Sequence, residues 1–220
     1  LFRSELSNSE TALKLARTAK GVDYSFSYFR GWDDLPTIHA SFTPQVGDPT
    51  ILDVTLTPVY HRLEVLGADF AATRGKFGFR GEAAWFLTED RARTDPEIKN
   101  PYYQLVLGTD YTPGEKLYFG AQLVGEYVTP SAGTPGPDEG AAYAIMGELQ
   151  YKPNLKWQWT LDGVYNLTDT DFLLRPSVSW SPADGITLRA GLVILDGPAG
   201  TRFGQFAGND YGFVEVKMAF

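Results

Sequence analysis

Histidine is scarce and cysteine is absent in this chain of 220 residues, which narrows the chemistry that its side chains can perform. The two histidines are His39, in a polar stretch, and His61, which is followed by Arg62 and Glu64. Neither has the spacing of a base next to a nucleophile. Without cysteine there is no disulfide framework and no thiolate metal site. The sequence therefore predicts no enzyme activity, no catalytic residue, no cofactor and no metal centre.

Acidic pairs in two connecting stretches are the remaining candidates for metal chemistry. Asp33 with Asp34, and Asp169 with Asp171, carry oxygen ligands of the kind that Ca²⁺ prefers. Such clusters are more often solvated loop charges, and that is the interpretation we favour here.

Most other charged residues recur at alternate positions of extended segments, with apolar residues between them. A period of two predicts a strand with one apolar and one polar face. Charges on the polar faces could pair across neighbouring strands, or could line a passage and orient a solute. The candidate residues are Arg62, Glu64, Arg80, Glu82, Asp110, Glu126, Glu148, Asp162, Arg175 and Arg189.

The alternation runs through nearly the whole chain and ends with the segment 211–220, YGFVEVKMAF. We count about eleven such strands, the first at 11–19. The segments TIHASFT and ILDVTLT, between the second and third of these strands, are predicted to pair as a separate hairpin, and Pro58 marks a break or an edge. In HRLEVLGADFAAT the apolar phase changes, which predicts a β-bulge near Leu66 and Gly67.

The connections between the predicted strands alternate in length. AKG, RGK, TPGEK, KPN and SPADG are short, whereas the stretches near 31–50, 88–100, 128–140, 166–171 and 196–209 are mostly long. Aromatic residues lie at the ends of the apolar faces, and Leu, Ala, Val and Gly fill the middles. These two regularities are typical of a membrane β-barrel, and they favour it over a soluble β-sandwich or a lipocalin-like barrel.

Composition agrees with a single domain over residues 1–220. Hydrophobic residues make up 43% and the mean hydropathy is −0.21, because lipid-facing and inward-facing residues cancel in the average. The net charge of −8 argues against a nucleic-acid surface. No signal peptide is visible and the sequence begins with Leu1, so we expect a processed end or a position inside a longer protein.

The closing segment, with its terminal Phe220, resembles the last strand of Gram-negative outer-membrane β-barrels. The stretch GADFAATRGKFGFRGEAAWF is similar to porin-like families near the alginate-export channels. The resemblance implies a transmembrane antiparallel up-and-down β-barrel in the outer membrane, with a periplasmic C-terminus and with outer-membrane lipid and lipopolysaccharide as surroundings. It implies an even strand count, so that the eleven visible strands require at least twelve in the complete barrel.

Two functions are compatible with this expected fold. The first is a porin-like channel for passive diffusion of small hydrophilic solutes, with constriction expected at Arg80 and Glu82 and at Arg62 and Glu64. The second is a structural barrel without an open pore, which anchors or surrounds a partner protein. A homo-oligomer is compatible with either function.

Overall fold

The computed structural model describes residues 8–45, 48–133, 135 and 139–219, and within them it is built from β-strands. Residues 1–7 and Phe220, which carry parts of the predicted N-terminal loop and the terminal aromatic, lie outside the described residues. The strands are β1 (Thr11–Ala19), β2 (Val22–Trp32), β3 (Thr37–Gln45), β4 (Asp48–Val59), β5 (Arg62–Arg74), β6 (Phe77–Thr88), β7 (Tyr102–Gly114), β8 (Leu117–Val128), β9 (Gly140–Asn154), β10 (Trp157–Asn166), β11 (Phe172–Ala183), β12 (Ile186–Asp196) and β13 (Tyr211–Met218). A short 3₁₀ helix, Gly204–Phe206, precedes β13.

Eleven strands form one antiparallel sheet in the order β1-β2-β5-β6-β7-β8-β9-β10-β11-β12-β13. The strands β3 and β4 pair only with each other and form the predicted hairpin. Pro58 lies on β4 of this two-stranded sheet, opposite Ile38. Each strand of the large sheet pairs with its neighbour in the sequence, apart from the hairpin inserted between β2 and β5. The all-β, antiparallel architecture and the eleven strands are confirmed. In the described residues β1 and β13 are not paired, so the sheet is not closed.

The register keeps apolar residues on one face of the sheet across all eleven strands. Leu107, Leu123 and Ile145 are successive Cα partners on β7, β8 and β9; Leu107 and Ile145 are exposed and Leu123 is half-buried. Because side chains alternate between the two faces of a strand, the intervening positions form a second face. We call these two surfaces the apolar face and the polar face.

Two-residue turns connect the strands at one end of the sheet, and longer connections join them at the other. The short turns are at 20–21, 75–76, 115–116, 155–156 and 184–185. Four lie within the predicted segments, whereas the predicted turn KPN belongs to β9 and the turn follows it at 155–156. Positive φ angles at Gly21, Gly75 and Gly185 lie in these turns, where only glycine adopts such a backbone without strain. The short-turn end and the long-loop end are therefore distinct.

The predicted β-bulge at Leu66 and Gly67 is wrong. Strand β5 pairs with β2 and β6 in a continuous register from Arg62 to Ala72 and from Leu63 to Arg74. The apolar Leu63 and Val65 simply belong to the polar face, near its long-loop end. Irregular pairing occurs instead at the short-turn end, next to Pro113, Pro153 and Pro182, because proline has no N–H to donate to the ladder.

Candidate functional site

A cavity of about 360 Å³ lies on the polar face near the middle of the sheet. Its charged lining comes from four strands: Arg80 on β6, Glu148 on β9, Asp162 on β10 and Arg175 on β11. In a flat sheet β6 and β11 would be roughly 24 Å apart, at about 4.8 Å per strand. Both line one cavity because the Arg80 side chain lies over Gly108 of β7, and Arg175 reaches Asp162 on β10.

Ion pairs cross neighbouring strands within and beside this cavity. The Arg175 Nε donates to Asp162 Oδ2 at 2.8 Å, and these two residues are Cα partners. The Arg80 guanidinium lies 3.4 Å from Asp110 Oδ2 on β7. With Glu148 included, the cavity carries two cations and two anions, so its lining has no net charge and contains fixed charges of both signs.

Three further predicted residues lie on the polar face without an acid–base pair among the described residues. Glu148 accepts a hydrogen bond from Gln150 at 2.6 Å. Arg189 donates to Ser177 Oγ at 3.1 Å. Glu82 is exposed and is the Cα partner of a second acid, Asp69 on β5, which is itself held by Lys14.

Arg62 and Glu64 are not part of this site, contrary to the sequence-based expectation. Because β5 has no bulge, both lie on the same face as Leu66, which is the apolar face. Arg62 stacks over the Trp32 ring at 3.8 Å, and Glu64 accepts from Arg91 at 2.8 Å. They therefore belong to the outer rim of the long-loop end.

The connecting segment 89–101, between β6 and β7, is anchored over the polar face at the long-loop end. Lys99 Nζ donates to Glu126 Oε1 at 2.8 Å and lies 4.1 Å from the centre of the Tyr102 ring. Asn100 Nδ2 donates to the carbonyl of Thr129 at 2.9 Å. Glu126 was predicted from the sequence, but Lys99 was not. A loop residue is not part of an alternating apolar and polar pattern, so its position along the chain does not assign it to a face of the sheet.

Below this segment the polar face becomes apolar. Phe29, Val65, Phe86, Tyr102 and Val128 are successive Cα partners in one row across five strands. The rings of Phe86 and Tyr102 stack with centroids 4.4 Å apart, and Val128 is 1% exposed. The polar face thus has an apolar tier at its long-loop end, which segment 89–101 covers, and a charged tier in the middle of the sheet.

The histidines contact carboxylates at the long-loop end and have no catalytic arrangement. His61 Nδ1 is 3.1 Å from Glu89 Oε2, and His39 Nε2 is 3.3 Å from Glu97 Oε2. In the part of the chain that the structure describes, no three His, Asp or Glu side chains are arranged to hold a metal ion.

Asp171, one of the acidic loop residues, is fully buried and holds two loops together. Its carboxylate accepts hydrogen bonds from the Phe203 backbone N–H and from Asn166 Nδ2, each at 2.5 Å. Burial alone raises the pKa of Asp171, but these hydrogen bonds to the charged form outweigh burial and leave the pKa below its usual range. Asp171 therefore fixes the loop before β13 to the loop between β10 and β11.

No helix among the described residues has the length and apolar character needed to cross a bilayer. No protein-family model matches the chain, and comparison with curated protein sequences gives no match.

Proposed function

We propose that the chain is a transmembrane β-barrel of a Gram-negative outer membrane that allows passive diffusion of small hydrophilic solutes. The short-turn end is periplasmic, the long-loop end is extracellular, and the polar face lines the lumen. The proposal needs no cofactor and no catalytic residue.

The exposed apolar face of the eleven-stranded sheet, opposite a charged polar face, is the observation that carries this proposal. A soluble β-sandwich buries its apolar face against a second sheet. Here no second sheet of the described chain covers that face, and a lipid environment is the surroundings in which such exposure is favourable. The polar face, with its charged cavity, then lines the inside of the barrel.

Aromatic residues on the apolar face support the same arrangement, because they form two rows at different heights. Trp85 stacks on Tyr103 near the long-loop end, with centroids 5.6 Å apart. Trp157 stacks on Trp180 near the short-turn end, at 5.8 Å. Aliphatic residues such as Leu107 lie between the rows. Two aromatic rows flanking an aliphatic band are typical of the two interfaces of a membrane.

The charged tier supports passage of polar solutes. Arg80 and Arg175 face the same space as Glu148 and Asp162, so a solute there meets fixed donors and acceptors in place of its hydration shell. Segment 89–101, tethered by Lys99, narrows the entrance at the long-loop end. A charged loop that folds inward favours a channel over a structural barrel without an open pore.

Single-channel recording of the purified protein in planar bilayers tests the proposal. We expect discrete conductance steps in KCl. Glu148→Gln removes an acid that has no cationic partner among the described residues, so it should shift the reversal potential in a KCl gradient toward anion preference. The matched control, Asp53→Asn, changes an exposed acid on the separate hairpin and should leave the reversal potential unchanged. A protein that inserts but never conducts would contradict the channel.

A structural barrel without an open pore is the second candidate, and the ion pairs on the polar face favour it. Arg175 with Asp162, Arg80 with Asp110, and Lys14 with Asp69 each neutralise one another. Such ion pairs can fill the interior of a barrel and neutralise its charges without any solute. Insertion without conductance, with unchanged stability when the pairs are replaced by apolar residues of similar volume, would favour this function.

A further inference from the structure

The hairpin β3–β4 has one continuous apolar face that nothing in the described chain covers. Its Cα partners place apolar residues opposite apolar residues at four successive levels. The eight residues of this hairpin apolar face are Ile38, Ala40, Phe42, Pro44, Leu52, Val54, Leu56 and Pro58. The opposite face is mostly polar and includes Thr37, His39, Ser41, Thr43, Asp53, Thr55 and Thr57.

These apolar side chains are unusually exposed. Phe42 and Leu56 are each 63% exposed, and Val54 is 55% exposed. An isolated two-stranded hairpin is marginally stable in water. A contiguous apolar patch of this kind marks an interaction surface. The hairpin therefore needs a partner on this face to be stable as it stands.

Segment 89–101 of the described chain contacts the hairpin on its polar face. Thr37 Oγ1 donates to the Glu97 carbonyl at 3.5 Å, and His39 contacts the Glu97 carboxylate. Both Thr37 and His39 belong to the polar face of the hairpin. The chain's own loop thus contacts the polar face and leaves the apolar face directed away from it.

Lipid is a poor occupant if the sheet is the proposed membrane barrel, and this step alone rests on that proposal. Strands β2 and β5 have 11 and 13 residues. At about 3.4 Å per residue and a tilt of about 45°, such strands already span an apolar band about 25 Å tall. The hairpin begins where they end, so it lies outside the band.

We infer that the hairpin apolar face packs against the same face of a second copy of this chain. Two such faces together bury roughly 1,200 Å², the lower end of the range for a specific interface. A two-fold axis places Phe42 of each copy near Val54 of the other, which is a self-complementary contact. Pro44 and Pro58 lack the N–H needed for edge-to-edge pairing, so the copies pack face to face.

The absence of native cysteine makes cross-linking a direct test. Face-to-face sheets lie about 10 Å apart, which is too far for a direct disulfide. Val54→Cys should therefore give a cross-linked species of twice the chain mass with a bis-maleimide reagent of about that span, in detergent and in liposomes. Thr55→Cys, one residue along and on the polar face, should not. Equal cross-linking of both variants, or none of either, would overturn the proposal.

Oligomeric state gives an independent readout. Light scattering in detergent should show a dimer for the unmodified protein and a monomer for Phe42→Glu. Ser41→Glu is the matched control and should remain dimeric. Circular dichroism of each variant verifies that the strands are retained. A monomeric unmodified protein, or a Phe42→Glu dimer of unchanged stability, would refute the inference. So would a lipid-exposed spin label at position 54. None of these measurements depends on conductance, so the channel proposal stands or fails separately.

Discussion

At the scale of single residues, the same substitution should have different effects on stability on the two faces of the sheet. Leu107 lies on the apolar face and is flanked by the leucine of β8, Leu123. Gln122 lies next to Leu123 on the polar face, where it lines the charged cavity. The alternation means that one position along the strand exchanges the apolar face for the polar face.

Leu107→Arg should therefore be much more damaging than Gln122→Arg. In a lipid bilayer we expect Leu107→Arg to lower the free energy of unfolding by about 2–4 kcal/mol, because a guanidinium near mid-bilayer is poorly solvated. Gln122→Arg places the same group beside Glu148 and should cost much less. Reversible denaturation in liposomes measures both values. Equal losses would mean that the assignment of the faces is incorrect.

Asp171 illustrates a residue whose charge stabilises a loop. Asp171→Ala should cost about 1–3 kcal/mol of local stability, because the buried Phe203 N–H loses its acceptor. Since the pKa of Asp171 is lowered in the folded state, its contribution is present above about pH 4. It is lost as the pH falls through the lower folded-state pKa.

Hydrogen exchange of the segment 197–206 measures this effect. Exchange should accelerate in Asp171→Ala at neutral pH, and in the unmodified protein only when the pH falls below about 4, after correction for the intrinsic rate. Asp169→Ala, in the same loop and exposed, is the control and should exchange as the unmodified protein does. An unmodified loop that opens as the pH rises would contradict the sign of this argument.

At the scale of elements, segment 89–101 is a tethered connection whose position over the polar face depends on Lys99. Removing the ammonium group in Lys99→Met should release the end of the segment from Glu126 and from the Tyr102 ring. Amides of 89–101 should then exchange faster, while those of β7 and β8 stay protected. Arg93→Met is the matched control, because among the described residues the Arg93 side chain donates only to the Pro130 carbonyl, at 3.2 Å. Unchanged exchange in Lys99→Met would show that the tether does not hold the segment.

The strands were predictable from the sequence because a period of two survives wherever one face is uniformly apolar. That signal located β1, β13 and the separate hairpin. It failed in β5, where the alternation of Leu63 and Val65 resembles that of the apolar face. Both residues instead belong to the apolar tier of the polar face. The misplaced bulge then moved Arg62 and Glu64 to the wrong face.

The candidate site was only partly predictable for a related reason. The alternation assigns Arg80, Asp162 and Arg175 to one face, but it does not give the distance between β6 and β11. That distance depends on curvature, which sums small twists over five strand pairs and leaves no local signature in the sequence. Loop residues such as Lys99 lie outside any periodic segment, so tertiary structure alone places them.

At the scale of the whole molecule, the direction of the two edge strands decides how a barrel closes. Eleven strands in a row, each antiparallel to the next, leave β1 and β13 running in the same direction. An up-and-down barrel needs antiparallel neighbours throughout, and bacterial single-chain barrels have an even number of strands. We therefore expect at least one additional strand between β1 and β13, which gives at least twelve.

Hydrogen exchange in lipid tests this closure. The amides of β1 that do not bond to β2, and those of β13 that do not bond to β12, would exchange freely at open edges. With an intervening strand they should be as protected as the corresponding amides of β7 and β8, because an unpaired N–H at membrane depth costs several kcal/mol. A disulfide between cysteines placed at Leu15 and Val216, which both lie on the apolar face, would require β1 and β13 to be direct neighbours. Efficient formation of that disulfide, or fast exchange at both edges in lipid, would contradict the twelve-strand barrel.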